Sequence, residues 1–237
     1  MGLIGRTVDG CFAEYMVLSA VSAVVIPKEI EPETACLFEP FGVAVHAVQE
    51  ADVSGKTLLI TGTGTIGSMA LECAANLGAV KIIVTSRDRE KLAISKKLGA
   101  DAVVLTTEEN IHEKVMEITD GEGVDRIIEM TGKSNLFQDG LDVLKPGGKM
   151  VCVGNHNQSL CISNFTGRVM YKEITITGIF GRRLFDTWDL AIHMVREGMI
   201  DLQKYIGKRL ALSAFEDGVE SFDQIFGRVV FHCNEVK

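Results

Sequence analysis

The stretch LLITGTGTIGSMALECAANLG, residues 58–78, decides the fold. An apolar run, Thr57–Thr61, leads into a glycine turn and then into Ile66–Leu77, where apolar residues recur at helical spacing. Gly62, Gly64 and Gly67 stand at the join as G-x-G-x-x-G. Gly62 permits a tight turn, Gly64 has no Cβ to hold a pyrophosphate off the backbone, and Gly67 lets the helix pack close to the strand. The free N–H groups at the start of the helix face the anion. Standing alone, the motif reads equally as an ordinary glycine loop; between a strand and a helix it points to dinucleotide binding.

Working outward, strands and helices alternate. Lys81–Thr85 reads as a strand, Arg89–Leu98 as a helix stopped by Gly99, Ala102–Leu105 as a strand and Ile111–Thr119 as a helix. Asp125–Met130 is a further strand and Leu136–Leu144 a helix before the turn Lys145-Pro146-Gly147-Gly148. Lys149–Val153 and Glu173–Gly178 complete the run of strands. This alternation predicts an α/β fold with a parallel sheet covered on both faces, in the doubly wound (Rossmann) topology.

The flanks read differently. Residues 11–27 predict strand segments stopped by Pro27, and Glu31–Ala51 a helix broken near Pro40-Phe41-Gly42. After Gly181 come a helix over Thr187–Glu197, a second over Ser213–Ile225 and a closing strand, Gly227–His232. Flanks of roughly 45 and 55 residues are too short for a core of their own. The expected division is therefore residues 1–45, 46–183 and 184–237, with both ends contributing to one second domain around the nucleotide-binding domain.

The 237 residues are 46% hydrophobic with a mean hydropathy of +0.20, so a sizeable core is expected. No apolar run approaches the ~18 residues that cross a bilayer, and no basic-then-apolar leader opens the chain, so a cytoplasmic protein without a membrane partner is expected. A net charge of −8 argues against a nucleic-acid partner. Six cysteines without a C-x-x-C, most in apolar patterns, predict buried free thiols rather than disulfides.

The second strand runs into KIIVTSRDREK, residues 81–91. An Asp or Glu about twenty residues beyond the glycines binds the ribose 2′-OH of NAD. Here Ser86 and Arg87 occupy that place, and a hydroxyl beside a guanidinium suits the 2′-phosphate of NADP. The alternative is a solvated loop in which Asp88 accepts the ribose hydroxyls. Arg182 and Arg183 read either as a fork for a substrate carboxylate or as surface arginines. Trp188 is expected to pack the returning helix.

Several stretches together carry a family resemblance. They are Gly10-Cys11-Phe12-Ala13-Glu14-Tyr15, Glu39-Pro40-Phe41-Gly42 with Ala44-Val45-His46, the glycine turn, the turn at 145–148, and GIFGRRLFDTW, residues 178–188. From Gly10 to about His232 the chain resembles the medium-chain dehydrogenase/reductase superfamily, nearest its zinc-dependent polyol and L-threonine 3-dehydrogenase branches. The resemblance implies NAD- or NADP-dependent oxidation of a secondary alcohol, an amino alcohol or polyol, by a homo-oligomer. The threonine branch resembles an NAD-using group, which conflicts with Ser86-Arg87. The resemblance also implies that Ile66 packs against the cofactor and Lys91 approaches its adenosine end. It places Val153, Gly154 and Asn155 beside the nicotinamide ribose, and Ile179 and Phe180 near the nicotinamide. Packing alone equally accounts for Val153 and Ile179, which close apolar strands.

The departures matter as much. Members of the superfamily open with a GroES-like catalytic region that supplies a zinc-binding Cys and a Gly-His-Glu segment, and many carry a four-cysteine lobe. This chain starts just upstream of the Gly-x-Phe-Ala-Glu-Tyr strand and contains none of these, so a chain lacking the N-terminal part of that domain is expected. Glu39 stands where the family places an acid near the metal. It reads as a transient ligand or relay acid, or as a helix-start acid interacting with the dipole. One carboxylate does not hold a catalytic zinc, which takes about three protein ligands. His46, about two turns further along, reads as structural. Three functions remain open: a dehydrogenase chain, a non-catalytic NAD(P)-binding protein, and a pseudoenzyme serving as an interaction subunit.

Overall fold

The computed structural model describes residues 4–157, 159–222 and 224–233. The chain divides into two compact units, one of Met1–Phe38 with Ile192–Lys237, the other Glu39–Ala191. Its helices are α1 Pro32–Ala35, α2 Phe38–Ala51, α3 Thr65–Asn76, α4 Arg89–Lys97, α5 Ile111–Ile118, α6 Ser134–Val143, α7 Asp186–Arg196 and α8 Phe215–Ser221.

Six strands build the sheet of the larger unit: β1 Thr57–Thr61, β2 Lys81–Ser86, β3 Ala102–Leu105, β4 Val124–Glu129, β5 Leu144–Cys152 and β6 Thr175–Gly178. All neighbours are parallel, in the order β3-β2-β1-β4-β5-β6. This is the doubly wound arrangement, with its switch of direction between β1 and β4. The central strands are near-continuous apolar runs because helices flank the sheet. Leu59, Ile83, Val104, Ile127, Phe137 and Met150 belong to one buried cluster. The turn at 145–148 lies within β5 as a bulge. Leu144 pairs with Val124 and Lys149 with Arg126, so the residues between loop out. There Gly147 (φ +71) donates its N–H to the Lys172 carbonyl at 2.7 Å.

Residues 11–27 do not form the expected strands; a short 3-10 turn, Ala20–Ser22, is the only regular element there. A strand needs a neighbour for its N–H and C=O groups, and among the described residues none pairs with this segment. Tyr15 (90% exposed) and Val17 (100%) accordingly have no apolar layer over them. Phe12 does find one, its ring 5.4 Å from both Phe215 and Phe231.

The helix over residues 31–51 breaks at Cys36-Leu37, not at Pro40. Pro40 is the third residue of α2, in the first turn, where a missing N–H forfeits no intrahelical bond. The helix expected over Ser213–Ile225 is confined to α8, after a 3-10 turn at Leu212–Ala214. The chain must leave it to reach Gly227 (φ +98), which opens the way into β8, Arg228–His232. β8 pairs in parallel with β7, Ile206–Ala211, a strand that Gly207 and Lys208-Arg209 conceal in the sequence. A Cβ on Gly207 would lie 2.3 Å from the Phe226 carbonyl oxygen, so this pair needs glycine there.

The cysteines are free, but only Cys73 is buried; Cys11, Cys36 and Cys161 are exposed. Cys11 lies in the segment that forms no strand, and Cys36 follows α1, its thiol donating to the Glu33 carbonyl at 3.0 Å. Burial pushes the Cys73 thiol up to about 12, and burial with the Glu129 charge pushes Cys152 up to about 11.

Candidate dinucleotide-binding site

The turn between β1 and α3 is built on its glycines. Gly62 takes φ +91 and donates its N–H to the Thr85 carbonyl at 3.1 Å, tying the turn to β2. Gly64 precedes α3 with an ordinary φ of −69 and offers no side-chain cap to the helix. A Cβ there would meet nothing within 4 Å, whereas one on Gly67 would lie 2.1 Å from the Gly62 carbonyl oxygen. Gly67 thus shapes the turn, and Gly64 leaves it open.

A cleft of about 680 Å³ runs along the carboxyl ends of β1 to β4, within the usual size of a small-molecule site. Gly62, Gly64, Ser86, Arg87 and Lys91 all line it, so residues from the first two strand–helix turns converge. Thr131 and Lys133 line it from the turn after β4, across the β1/β4 switch where doubly wound sheets bind ligands. Neither carries a motif in the sequence; their one signal is a place at the carboxyl end of a strand adjoining the glycine strand. Asp139 of α6 also borders the cleft; burial, reinforced by the Asp142 charge, raises its carboxyl above the ordinary range.

The remaining site residues stand elsewhere. Ile66 is half-buried and Gly67 buried on α3, and neither lines the cleft. Val153, Gly154 and Asn155 follow β5, where the N–H groups of Val153 and Gly154 donate to the Glu129 carbonyl at 2.8 and 3.0 Å. Ile179 follows β6 and donates its N–H to the Cys152 carbonyl at 3.0 Å, while Phe180 is 78% exposed. These five sit at the carboxyl ends of their strands but do not line the cleft.

Glu129, the last residue of β4, belongs to no sequence motif and is fully buried. Its carboxylate accepts the Thr131 N–H at 2.8 Å, the Gly132 N–H at 3.0 Å and the Thr61 hydroxyl at 3.2 Å, and also bonds the Thr131 hydroxyl. His156 Nε2 lies 3.6 Å from it. One side chain thereby fastens the end of β1 to the turn after β4. A buried carboxylate is tolerated when donors surround it in this way.

Glu39 is committed within the chain. It accepts from Arg182 Nη1 at 2.7 Å, and that guanidinium lies 5.3 Å from the centre of the Trp188 ring. His46 is buried and donates Nδ1–H to the Gly181 carbonyl at 3.0 Å, while Arg183 pairs with Glu50 at 2.8 Å. The two arginines therefore bind carboxylates of α2. Among the described residues no group of three or more His, Cys, Asp or Glu is placed to hold a metal ion. The donors present among the described residues do not fit a catalytic zinc, which takes about three protein ligands.

With this geometry the comparisons with known proteins agree. The family pattern described as zinc-binding dehydrogenase matches residues 65–197. L-Threonine 3-dehydrogenase of Pyrococcus horikoshii is 35% identical over 233 residues, covering 97% of this chain and 66% of that enzyme. The chain thus spans just under two thirds of that curated relative's length. Galactitol-1-phosphate dehydrogenase of Escherichia coli superposes with a TM-score of 0.87 at 26% identity, over 95% of this chain and 68% of that one. A Sinorhizobium meliloti protein, described as a zinc-binding dehydrogenase and solved with NADP, superposes with a TM-score of 0.83 at 26% identity, over 91% and 64%. The chain belongs to the zinc-binding dehydrogenase family.

Proposed function

We propose that the cleft holds a nicotinamide dinucleotide and that the chain is the cofactor platform of a dehydrogenase for secondary alcohols of the L-threonine or polyol class. The observation that carries this reading is the glycine turn at the β1/β4 switch, with Gly64 bare toward the cleft. The substrate class draws support from the Pyrococcus horikoshii threonine dehydrogenase, and the cofactor from the NADP held by the Sinorhizobium meliloti protein.

In this reading Gly62, Gly64 and the start of α3 hold the pyrophosphate, and Ser86, Arg87 and Lys91 take the adenosine ribose. Ile66 flanks the cofactor. Val153, Gly154, Asn155, Ile179 and Phe180 border the nicotinamide end. A bound nicotinamide supplies the hydride acceptor for the carbinol carbon. Glu39 is the relay acid of this reading, and its ion pair with Arg182 holds it beside the loop at 181–183. Residues 1–45 and 184–237 contribute to a GroES-like second domain, and the protein acts in the cytoplasm as a homo-oligomer on a small molecule.

A second reading, dinucleotide binding without turnover, is favoured by the same Glu39–Arg182 pair. The test is to titrate the purified chain with NADPH and NADH by fluorescence, then assay it with either oxidised cofactor on L-threonine and sorbitol. Binding with turnover supports the first reading. Binding without turnover supports the second, and absence of binding overturns both.

A further inference from the structure

Cys11, Cys36 and Cys233 stand far apart in the chain but gather in the smaller unit. Cys233 follows β8, and its Sγ–H donates to the Cys11 carbonyl at 3.7 Å. Phe12 supports that approach. Its ring lies 5.4 Å from that of Phe231, two residues before Cys233, and 5.4 Å from that of Phe215 in α8. Glu33 of α1 brings in the third cysteine. Its carboxylate accepts from Arg209 Nε of β7 at 2.7 Å and lies 3.0 Å from His232 Nε2 at the end of β8. Cys36 follows at the end of that helix.

The three thiols are not equivalent. Cys36 donates its S–H to the Glu33 carbonyl at 3.0 Å. Partial burial of its sulfur and the Glu33 charge hold this thiol above the ordinary cysteine range, and the Cys11 charge adds to the rise. A thiol kept protonated in this way is a poor nucleophile. Cys11 is exposed and open to a small oxidant, whereas Cys233 is half-buried with its sulfur against the Cys11 backbone. The segment that begins at Cys11 pairs with no strand among the described residues, so a covalent tie there would add order that the sheet does not supply.

We propose that Cys11 and Cys233 form a redox-responsive pair whose disulfide fastens the segment beginning at residue 11 to the end of β8. The oxidant is a low-molecular-weight disulfide such as oxidised glutathione. The Cys11 thiolate, its proton released to solvent, attacks one sulfur of that disulfide, giving a mixed disulfide and one glutathione thiolate. The Cys233 thiolate, likewise deprotonated, then attacks Cys11 Sγ, which forms the protein disulfide and expels the second glutathione thiolate. Two protein thiols lose two electrons, the glutathione disulfide gains the same two, and the two protons pass to the released thiolates. The bond closes a loop over most of the chain, which restricts the unfolded state. Neither cysteine lines the dinucleotide cleft, so the pair stands apart from the cofactor reading.

Incubation of the purified chain in glutathione buffers of rising oxidised fraction, followed by alkylation and peptide mapping by mass spectrometry, tests it. The Cys11 and Cys233 peptides should be recovered cross-linked within one chain, and dithiothreitol should return both thiols. The oxidised chain should melt at least about 5 °C above the reduced one. Cys11→Ser and Cys233→Ser should each abolish the cross-link and the shift, while Cys36→Ser and Cys161→Ser should retain both. The wild-type map reads the bond directly, so the result stands even where a serine variant fails to fold. A Cys11–Cys36 bond, a bond between two chains, or glutathione left on Cys11 without a cross-link would overturn the proposal. So would free Cys11 and Cys233 thiols in the most oxidising buffer, or a cross-link that leaves the melting temperature unchanged.

Discussion

A methyl group on Gly67 would lie 2.1 Å from the carbonyl oxygen of Gly62. The first and third glycines of the turn are thus in backbone contact, and Gly67→Ala must push the turn open. Overpacking of this kind costs about 1–3 kcal/mol, or a melting temperature lowered by roughly 5 °C in a chain of this size. Thermal unfolding of the variant checks it; an unchanged transition would show that the contact relaxes freely.

Glu129 gathers donors from Thr61, Thr131 and Gly132 around a fully buried carboxylate. Glu129→Ala leaves those donors without an acceptor and should cost about 3 kcal/mol, while Glu129→Gln, which keeps one carbonyl oxygen, should cost less. Since the same residues shape the turn after β4, Glu129→Ala should also weaken cofactor binding. Chemical denaturation of both variants reads the order, and an equal loss in the two would argue that charge rather than acceptor geometry matters.

Glu50 of α2 receives the Lys149 ammonium at 2.6 Å and the Arg183 guanidinium at 2.8 Å. The hydrogen bond from Lys149 does most to hold its carboxyl below the ordinary range; burial opposes it, and the charges of Lys149 and Arg183 reinforce it. A carboxylate with a lowered folded pKa stabilises the fold above its unfolded pKa of about 4.3, and that contribution is lost as pH falls through the folded value. Wild type should therefore melt above Glu50→Gln at pH 7, and the gap should close in acid. A gap constant across that range would count against the ion pair.

The parallel sheet is legible in the sequence because short apolar runs alternate with amphipathic helices, and burial on both faces imposes such runs. Residues 11–27 mislead by the same logic. Alternation there says strand, yet a strand exists only when a neighbour pairs with it. β7 is hidden for the opposite reason, since Gly207, Lys208 and Arg209 carry little strand propensity and the pairing with β8 supplies the order. In the cleft, Gly62, Gly64 and Gly67 are readable because their spacing is local. Glu129 is not, because its role depends on Thr61 arriving from a strand 68 residues away. The Glu39–Arg182 pair joins residues 143 apart and is equally invisible in the sequence.

The most direct test concerns Gly64, where a side chain would disturb nothing in the protein but would stand where the pyrophosphate is proposed to lie. Its φ of −69 suits alanine, and a Cβ meets no atom within 4 Å. Melting temperature and NADPH affinity should be measured side by side for wild type and Gly64→Ala. An unchanged melting temperature is expected, with affinity weakened at least about tenfold, a loss of about 1.4 kcal/mol. Undiminished NADPH binding by a stable Gly64→Ala protein would contradict it.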